Sequence, residues 1–118
     1  MQTTLPLIYH DLMKSPSVIL DHCAICGRPT PLNNHHMVFR SAGELIKDGK
    51  KLEKPLITLC GFGNNLKDAD GRYYCHGLAH HRMLHFRHTT QLEYLLTDEP
   101  CRYDEALSMP GWKAVRYD

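Results

Sequence analysis

Short blocks of apolar and polar residues alternate along this chain. Residues 1–20 mix leucine and isoleucine with Pro6 and Pro16, which predicts short extended or helical pieces that pack onto a later core. Residues 37–39 (MVF) predict a short strand that leads away from two adjacent histidines, and the β-branched residues of 55–60 (PLITLC) predict a second strand. We expect the two strands to pair as a hairpin with a long loop.

The second half of the chain predicts a loop, a helix and a small extension. Residues 61–72 are dense in turn-forming residues, which predicts a surface loop. Residues 76–87 contain no proline, and their single glycine is near the start, which predicts a helix. The pattern then predicts a strand around residues 92–97 and a short helix around 103–109, which ends at Pro110-Gly111.

The length of 118 residues fits a single domain. We divide it into a lead-in (1–20), a core (21–88) and a C-terminal strand and helix extension (89–118). The net charge is only +1, so a nucleic-acid partner must be recognised by local charge. No apolar run approaches the roughly 20 residues that cross a bilayer, and no signal peptide is visible, so we expect a cytoplasmic protein without membrane contact.

The nine histidines and five cysteines are the unusual feature of the composition, because both residue types bind transition metals. Cys23 and Cys26 form a Cys-x-x-Cys pair, and with Cys60 and Cys75 they provide the four thiols of a tetrahedral zinc site. Such a site is structural, because four thiolates leave no open coordination position. A redox dithiol at the first pair or plain buried thiols are the alternatives, and Cys101 is expected to be a free thiol.

The histidines suggest a second metal site. Side chains of adjacent residues on a strand point to opposite sides, so His35 can face a metal while His36 faces solvent or substrate. His76 and His80 are four residues apart, which on a helix places both imidazoles on one face. The same predicted helix carries His81, His85, His88, Arg82 and Arg87. Its three histidines are either ordinary surface or core residues or contacts to phosphate.

Taken in order, these motifs resemble one known family. The chain contains Cys23-x-x-Cys26, His35-His36, Leu59-Cys60-Gly61 and Cys75-His76-Gly77-x-x-His80, followed by Leu84-His85-Phe86. This order, over about residues 21–88, resembles the HNH endonuclease family, especially its small zinc-containing members from bacteriophages and prophages. The resemblance implies an α+β fold built on a ββα-metal (His-Me) finger, in which a β-hairpin and a helix hold a catalytic ion beside a structural four-cysteine zinc site.

The resemblance also implies roles for individual residues. His36 would be the general base that takes a proton from the attacking water, and the reference pKa of histidine, about 6.5, suits that task. His35, His80 and His76 would bind a catalytic Mg²⁺, Mn²⁺ or Ni²⁺. The reaction is hydrolysis of a DNA phosphodiester, which leaves a 5′ phosphate and a 3′ hydroxyl. The family's middle asparagine is missing before Leu59-Cys60, so Asn64 or Asn65 supplies it or it is absent.

The implied partner is DNA with weak sequence preference, together with phage terminase or packaging proteins in the cytoplasm of a bacterial host. The expected DNA-binding residues are Arg40, Arg72, His81, Arg82, His85 and Arg87. Two other classes of protein compete with this hypothesis. One is a non-catalytic zinc module that binds nucleic acid or protein, and the other is a metal-responsive regulator that senses metal through its histidine-rich helix.

Overall fold

The chain folds into short strands and short helices in mixed order. The structure, a computed structural model, describes residues 2–3, 6–39, 42–61 and 67–116. The strands are β1 (Gln2–Thr3), β2 (Leu32–His36), β3 (Leu45–Lys47), β4 (Lys50–Lys51), β5 (Leu56–Cys60), β6 (Leu84–His88), β7 (Leu92–Leu96) and β8 (Lys113–Ala114). The helices are α1 (His10–Met13), which follows a 3₁₀ turn at Leu7–Tyr9, α2 (Cys75–His80) and α3 (Tyr103–Leu107). No helix among the described residues is long and apolar enough to cross a membrane.

The central hairpin pairs β2 with β5 in antiparallel register, with Leu32 opposite Cys60 and His36 opposite Leu56. The second predicted strand is therefore confirmed, but the first is wrong in position. Residues 37–39 form a bend, and the strand is the polar segment before them. The pairing ends there because Met37 donates its backbone N–H to the carbonyl of Pro55, and Pro55 has no N–H to return.

The lead-in covers the second edge of β5. Val18 forms a parallel bridge to Ile57, and backbone hydrogen bonds join Val18 to Leu56 and Thr58. Ile57 is completely buried and Val18 nearly so, and Leu12 of α1 is also part of the core. The prediction that residues 1–20 supply short pieces packed on a later core is confirmed for its described residues.

The charged segment between the two central strands contains a hairpin that the sequence pattern did not predict. β3 and β4 pair across Asp48-Gly49, and β1 pairs with β3 to complete a three-stranded sheet. Both turn residues have positive φ, at 55° and 78°. This is the arrangement for which Asp-Gly is favoured in two-residue hairpins.

The helix predicted over residues 76–87 is too long. α2 ends at His80, Arg82 takes a left-handed conformation with φ 58°, and residues 84–88 form β6 instead. β6 pairs with β7, which in turn pairs with β8. Leu84, Phe86 and Leu92 are buried by this pairing. The predicted C-terminal strand and helix are confirmed as β7 and α3, each ending slightly earlier than predicted.

Two candidate metal centres

Four cysteines from three separate segments come together in one cluster. Cys23 and Cys26 lie in a tight turn, in which Gly27 donates its N–H to the carbonyl of Cys23 and adopts φ 80°. Cys60 is the last residue of β5, and Cys75 is the first residue of α2. The four sulfur atoms lie within 4.8 Å of one another.

The distances in this cluster suit a tetrahedral metal ion. A zinc ion with bonds of about 2.3 Å to four sulfurs holds them about 3.8 Å apart, and the Sγ atoms of Cys26 and Cys60 are 3.6 Å apart. Cys23, Cys60 and Cys75 are buried, whereas Cys26 is exposed. These four thiols can therefore hold a metal such as zinc.

Hydrogen bonds within the cluster favour a thiolate at one position. The thiols of Cys60 and Cys75 lower the pKa of Cys23, and the same interaction with Cys23 raises the pKa of Cys60 to about 12. The backbone N–H of Cys75 also donates to Sγ of Cys60, at 3.2 Å. Cys101 lies outside the cluster as a free thiol, with its sulfur 3.4 Å from Nε2 of His85.

A second cluster consists of three histidines from the central hairpin and α2. His35 projects from β2, and His76 and His80 project from α2, one turn apart. One ring nitrogen from each lies within 4.8 Å of the others, and the Nε2 atoms of His76 and His80 are 3.2 Å apart. Two nitrogens bound at about 2.1 Å to one ion lie about 3.0–3.4 Å apart. The donor set therefore fits a single metal ion.

Burial keeps His35 in the form that binds metal. His35 and His76 are buried, and His80 is exposed, so the cluster opens on the side of His80. Desolvation, reinforced by the neighbouring imidazoles of His76, His80 and His36, lowers the pKa of His35 to about 3. His35 is therefore neutral, with a lone pair available for a metal, over the whole physiological range.

His36 follows His35 on β2 but is not a member of this cluster. It is half-buried and lines a groove of about 310 Å³. The other walls come from Glu44, directly before β3, and from the end of β4 and the segment after it: Lys51, Leu52, Glu53 and Lys54. The sequence pattern predicted only a long loop in this segment. The turn signal Asp48-Gly49 would have brought it next to the histidines.

The other predicted site residues differ in whether the structure describes them and in how exposed they are. Asn64, Asn65 and Arg40 lie outside the described residues. Arg72 and Arg82 are exposed, and the ring of His81 packs 4.6 Å from that of Tyr73.

Two predicted DNA contacts are poorly placed for phosphate. His85 is only 3% exposed, burial lowers its pKa, and its Nε2 lies 2.8 Å from the carbonyl oxygen of Arg82. Arg87 donates to the carboxylate of Glu93 at 2.8 Å and covers the ring of Trp112. The prediction placed both residues on a long helix. They lie instead on β6, in which the first three residues are buried and the last two are half-buried.

Gly61 lies between the two clusters, next to Cys60 in sequence and against His76 in space. It follows Cys60, has φ 121° and is buried, and its N–H donates to the carbonyl of Pro31. A Cβ atom at this position would lie 2.8 Å from Cβ of Tyr74 and 3.0 Å from Cβ of His76. The end of β5 and the start of α2 therefore approach each other as closely as they do because this residue has no side chain.

No protein-family model, curated protein or solved structure matches this chain.

Proposed function

We propose that this protein is a metal-dependent endonuclease of the HNH type that hydrolyses DNA phosphodiester bonds and nicks one strand at a time. The observation that carries the proposal is the three-histidine cluster, His35, His76 and His80, with His36 next to it on the same strand. In this proposal β2, β5 and α2 correspond to the two strands and the helix of a ββα-metal finger. His35 comes from its first strand, and His76 comes from its helix.

The histidine cluster suits a divalent ion. A divalent ion there would supply Lewis-acid stabilisation of the charge that develops on the phosphate and on the departing 3′ oxygen. Three imidazole nitrogens are better ligands for Ni²⁺ than for Mg²⁺, which prefers oxygen. We therefore expect Ni²⁺ to support more activity than Mg²⁺.

In the proposed reaction His36 is the general base. Its imidazole accepts a proton from a water molecule in the groove that it lines, and the water oxygen attacks the phosphorus atom. The bond from phosphorus to the 3′ oxygen breaks, so the products carry a 5′ phosphate and a 3′ hydroxyl. Lys51 and Lys54 line the same groove, where Lys51 forms an ion pair with Glu44 and Lys54 donates to the carbonyl oxygen of Phe39. In this proposal both exchange these partners for the DNA backbone.

The cysteine cluster has a structural role in this proposal. A zinc ion bound by four thiolates has no free position for substrate, and its binding energy adds to the folding energy of a small domain. Because Cys60 ends β5 and Cys75 begins α2, the ion would tie the hairpin to the helix that carries His76 and His80. The association with terminase or packaging proteins and the cytoplasmic location in a bacterial host stay predictions of the family resemblance.

The proposal is tested by nicking of supercoiled plasmid with Ni²⁺, Mn²⁺ or Mg²⁺. The wild type is compared with His36→Ala and with His88→Ala, a control at a half-buried histidine of β6 outside both clusters. Zinc content and thermal melting are measured for each protein. We expect the wild type and His88→Ala to nick, and His36→Ala to bind zinc normally but lose most of its activity.

Other outcomes would contradict the proposal. Full activity in folded His36→Ala would remove the assigned general base. If the zinc-loaded wild type binds DNA but nicks with none of the three metals, the alternative of a non-catalytic zinc adaptor replaces the nuclease.

A further inference from the structure

An arginine ends α2 at a position where glycine is usual. The N–H of Arg82 donates to the carbonyl of Ala79, and the N–H of Met83 donates to that of Leu78. These two hydrogen bonds define a Schellman motif, in which the residue at the position of Arg82 is left-handed and most often glycine. A side chain is disfavoured in this conformation.

The neighbouring structure holds the Arg82 backbone in place. The carbonyl oxygen of Arg82 accepts a hydrogen bond from the N–H of Cys101, at 3.1 Å, and lies 2.8 Å from Nε2 of His85. Because a carbonyl oxygen only accepts, Nε2–H of His85 is the donor in this contact. The strand β6 and the C-terminal extension thus both fix the turn.

The side chain of Arg82 is exposed, and its guanidinium lies over the ring of Phe39. Its Cζ atom is 5.5 Å from the ring centre of Phe39. Phe39 and His35 line the same small internal cavity, and Arg82 itself follows His80 by two residues. Among the described residues Arg82 has no carboxylate partner, whereas Arg28, Arg87 and Arg102 each form an ion pair.

We propose that exposed Arg82, two residues after His80, binds a backbone phosphate of the DNA strand, and that buried His85 is the positioning residue that holds Arg82 in its left-handed turn. The identity of the ligand as DNA rests on the proposed function. Glycine would adopt this turn with less strain than arginine. The strain at Arg82 is explained if its guanidinium, which has no carboxylate partner among the described residues, binds a ligand. His85 acts only through Arg82, because its buried ring cannot reach the DNA.

The first test uses Arg82→Gly, which removes the guanidinium and relieves the backbone. Binding of a short DNA duplex is measured by fluorescence anisotropy across a salt series, without added divalent ions. Loss of one phosphate contact makes the slope of log K against log salt less steep by about 0.9. We expect this change together with an unchanged or higher melting temperature. Arg116→Ala, an exposed arginine beside the Cys23–Cys26 turn, is the matched charge control and should keep the wild-type slope.

The second test separates positioning from contact. His85→Phe keeps a ring but removes the donor, and His85→Gln restores an N–H at similar reach. We expect His85→Phe to weaken DNA binding, His85→Gln to recover most of the loss, and His85→Phe to have no further effect in the Arg82→Gly background. Zinc content and melting temperature confirm that each variant is folded, and His85→Met replaces His85→Phe as the variant without a donor if His85→Phe is not.

The outcomes distinguish this inference from the nuclease proposal. An unchanged salt slope in Arg82→Gly, an equal change in Arg116→Ala, or an effect of His85→Phe that persists without Arg82 would each overturn the inference, even if the wild type nicks DNA. A less steep salt dependence in Arg82→Gly, together with no nicking by the wild type, would support the phosphate contact and contradict the nuclease proposal.

Discussion

Gly61→Ala should damage the fold and the histidine cluster together. The φ of 121° is strained for alanine by about 1–3 kcal/mol. The added Cβ would lie 2.8 Å from Tyr74 and 3.0 Å from His76, and such overpacking typically costs about 1–3 kcal/mol more. The expected loss in the free energy of unfolding is therefore about 2–6 kcal/mol, a large part of the roughly 5–15 kcal/mol that holds a domain together.

Urea denaturation of the zinc-loaded protein measures this loss, with Gly71→Ala as the control. Gly71 also has a positive φ, of 78°, but a Cβ there would meet nothing within 4 Å. The control should thus lose only the strain, about 1–2 kcal/mol. Gly61→Ala should also bind Ni²⁺ more weakly at the histidine cluster, since the methyl group displaces His76. Equal losses in the two variants would refute the close approach of β5 and α2.

Three further predictions test the two clusters and the central hairpin. Cys75→Ser should lose most of its bound zinc in a metal-content assay while Cys101→Ser keeps it, and equal zinc in both would contradict the four-thiol site. His35 has a pKa of about 3 when folded and about 6.5 when unfolded, so the folded state binds fewer protons between these values. Without added divalent ions, the wild type should therefore lose stability by up to about 1.4 kcal/mol per pH unit as the pH falls below 6.5. His35→Asn should lack this loss of stability. If the stability of the wild type and of His35→Asn changed in parallel from pH 6.5 to 5, the lowered pKa of His35 would be contradicted. Thr58→Val should cost about 1–3 kcal/mol in denaturation experiments, because the buried Oγ1 atom bonds a backbone N–H on one side and an amide oxygen on the other; a loss within error would contradict those bonds.

The cysteine and histidine clusters were largely predictable because their signals are local. Four-residue spacing places His76 and His80 on one helix face wherever the helix begins or ends, and alternation separates His35 from His36 on any strand. Cys60 and Cys75 come together if the loop between them brings the start of α2 back to the end of β5. What the sequence could not provide is the distance between hairpin and helix, which depends on Gly61.

The boundaries of the elements were less predictable because long-range pairing decides them. β2 is polar, with the sequence LNNHH, and becomes a strand because β5 offers it a complete hydrogen-bonding edge. The residues after His80 look helical by composition. They form β6 because pairing with β7 buries Leu84 and Phe86.

The two clusters share the β2–β5 hairpin and α2. On β2 and β5 the pair Leu32–Cys60 lies three rungs from the pair His35–Ile57, and on α2 Cys75 directly precedes His76. A metal ion that draws the four sulfurs together therefore also fixes the separation of His35 from His76. The cysteine site should accordingly raise the affinity of the histidine site for its ion. By linkage, filling the histidine site should tighten the cysteine site by the same factor.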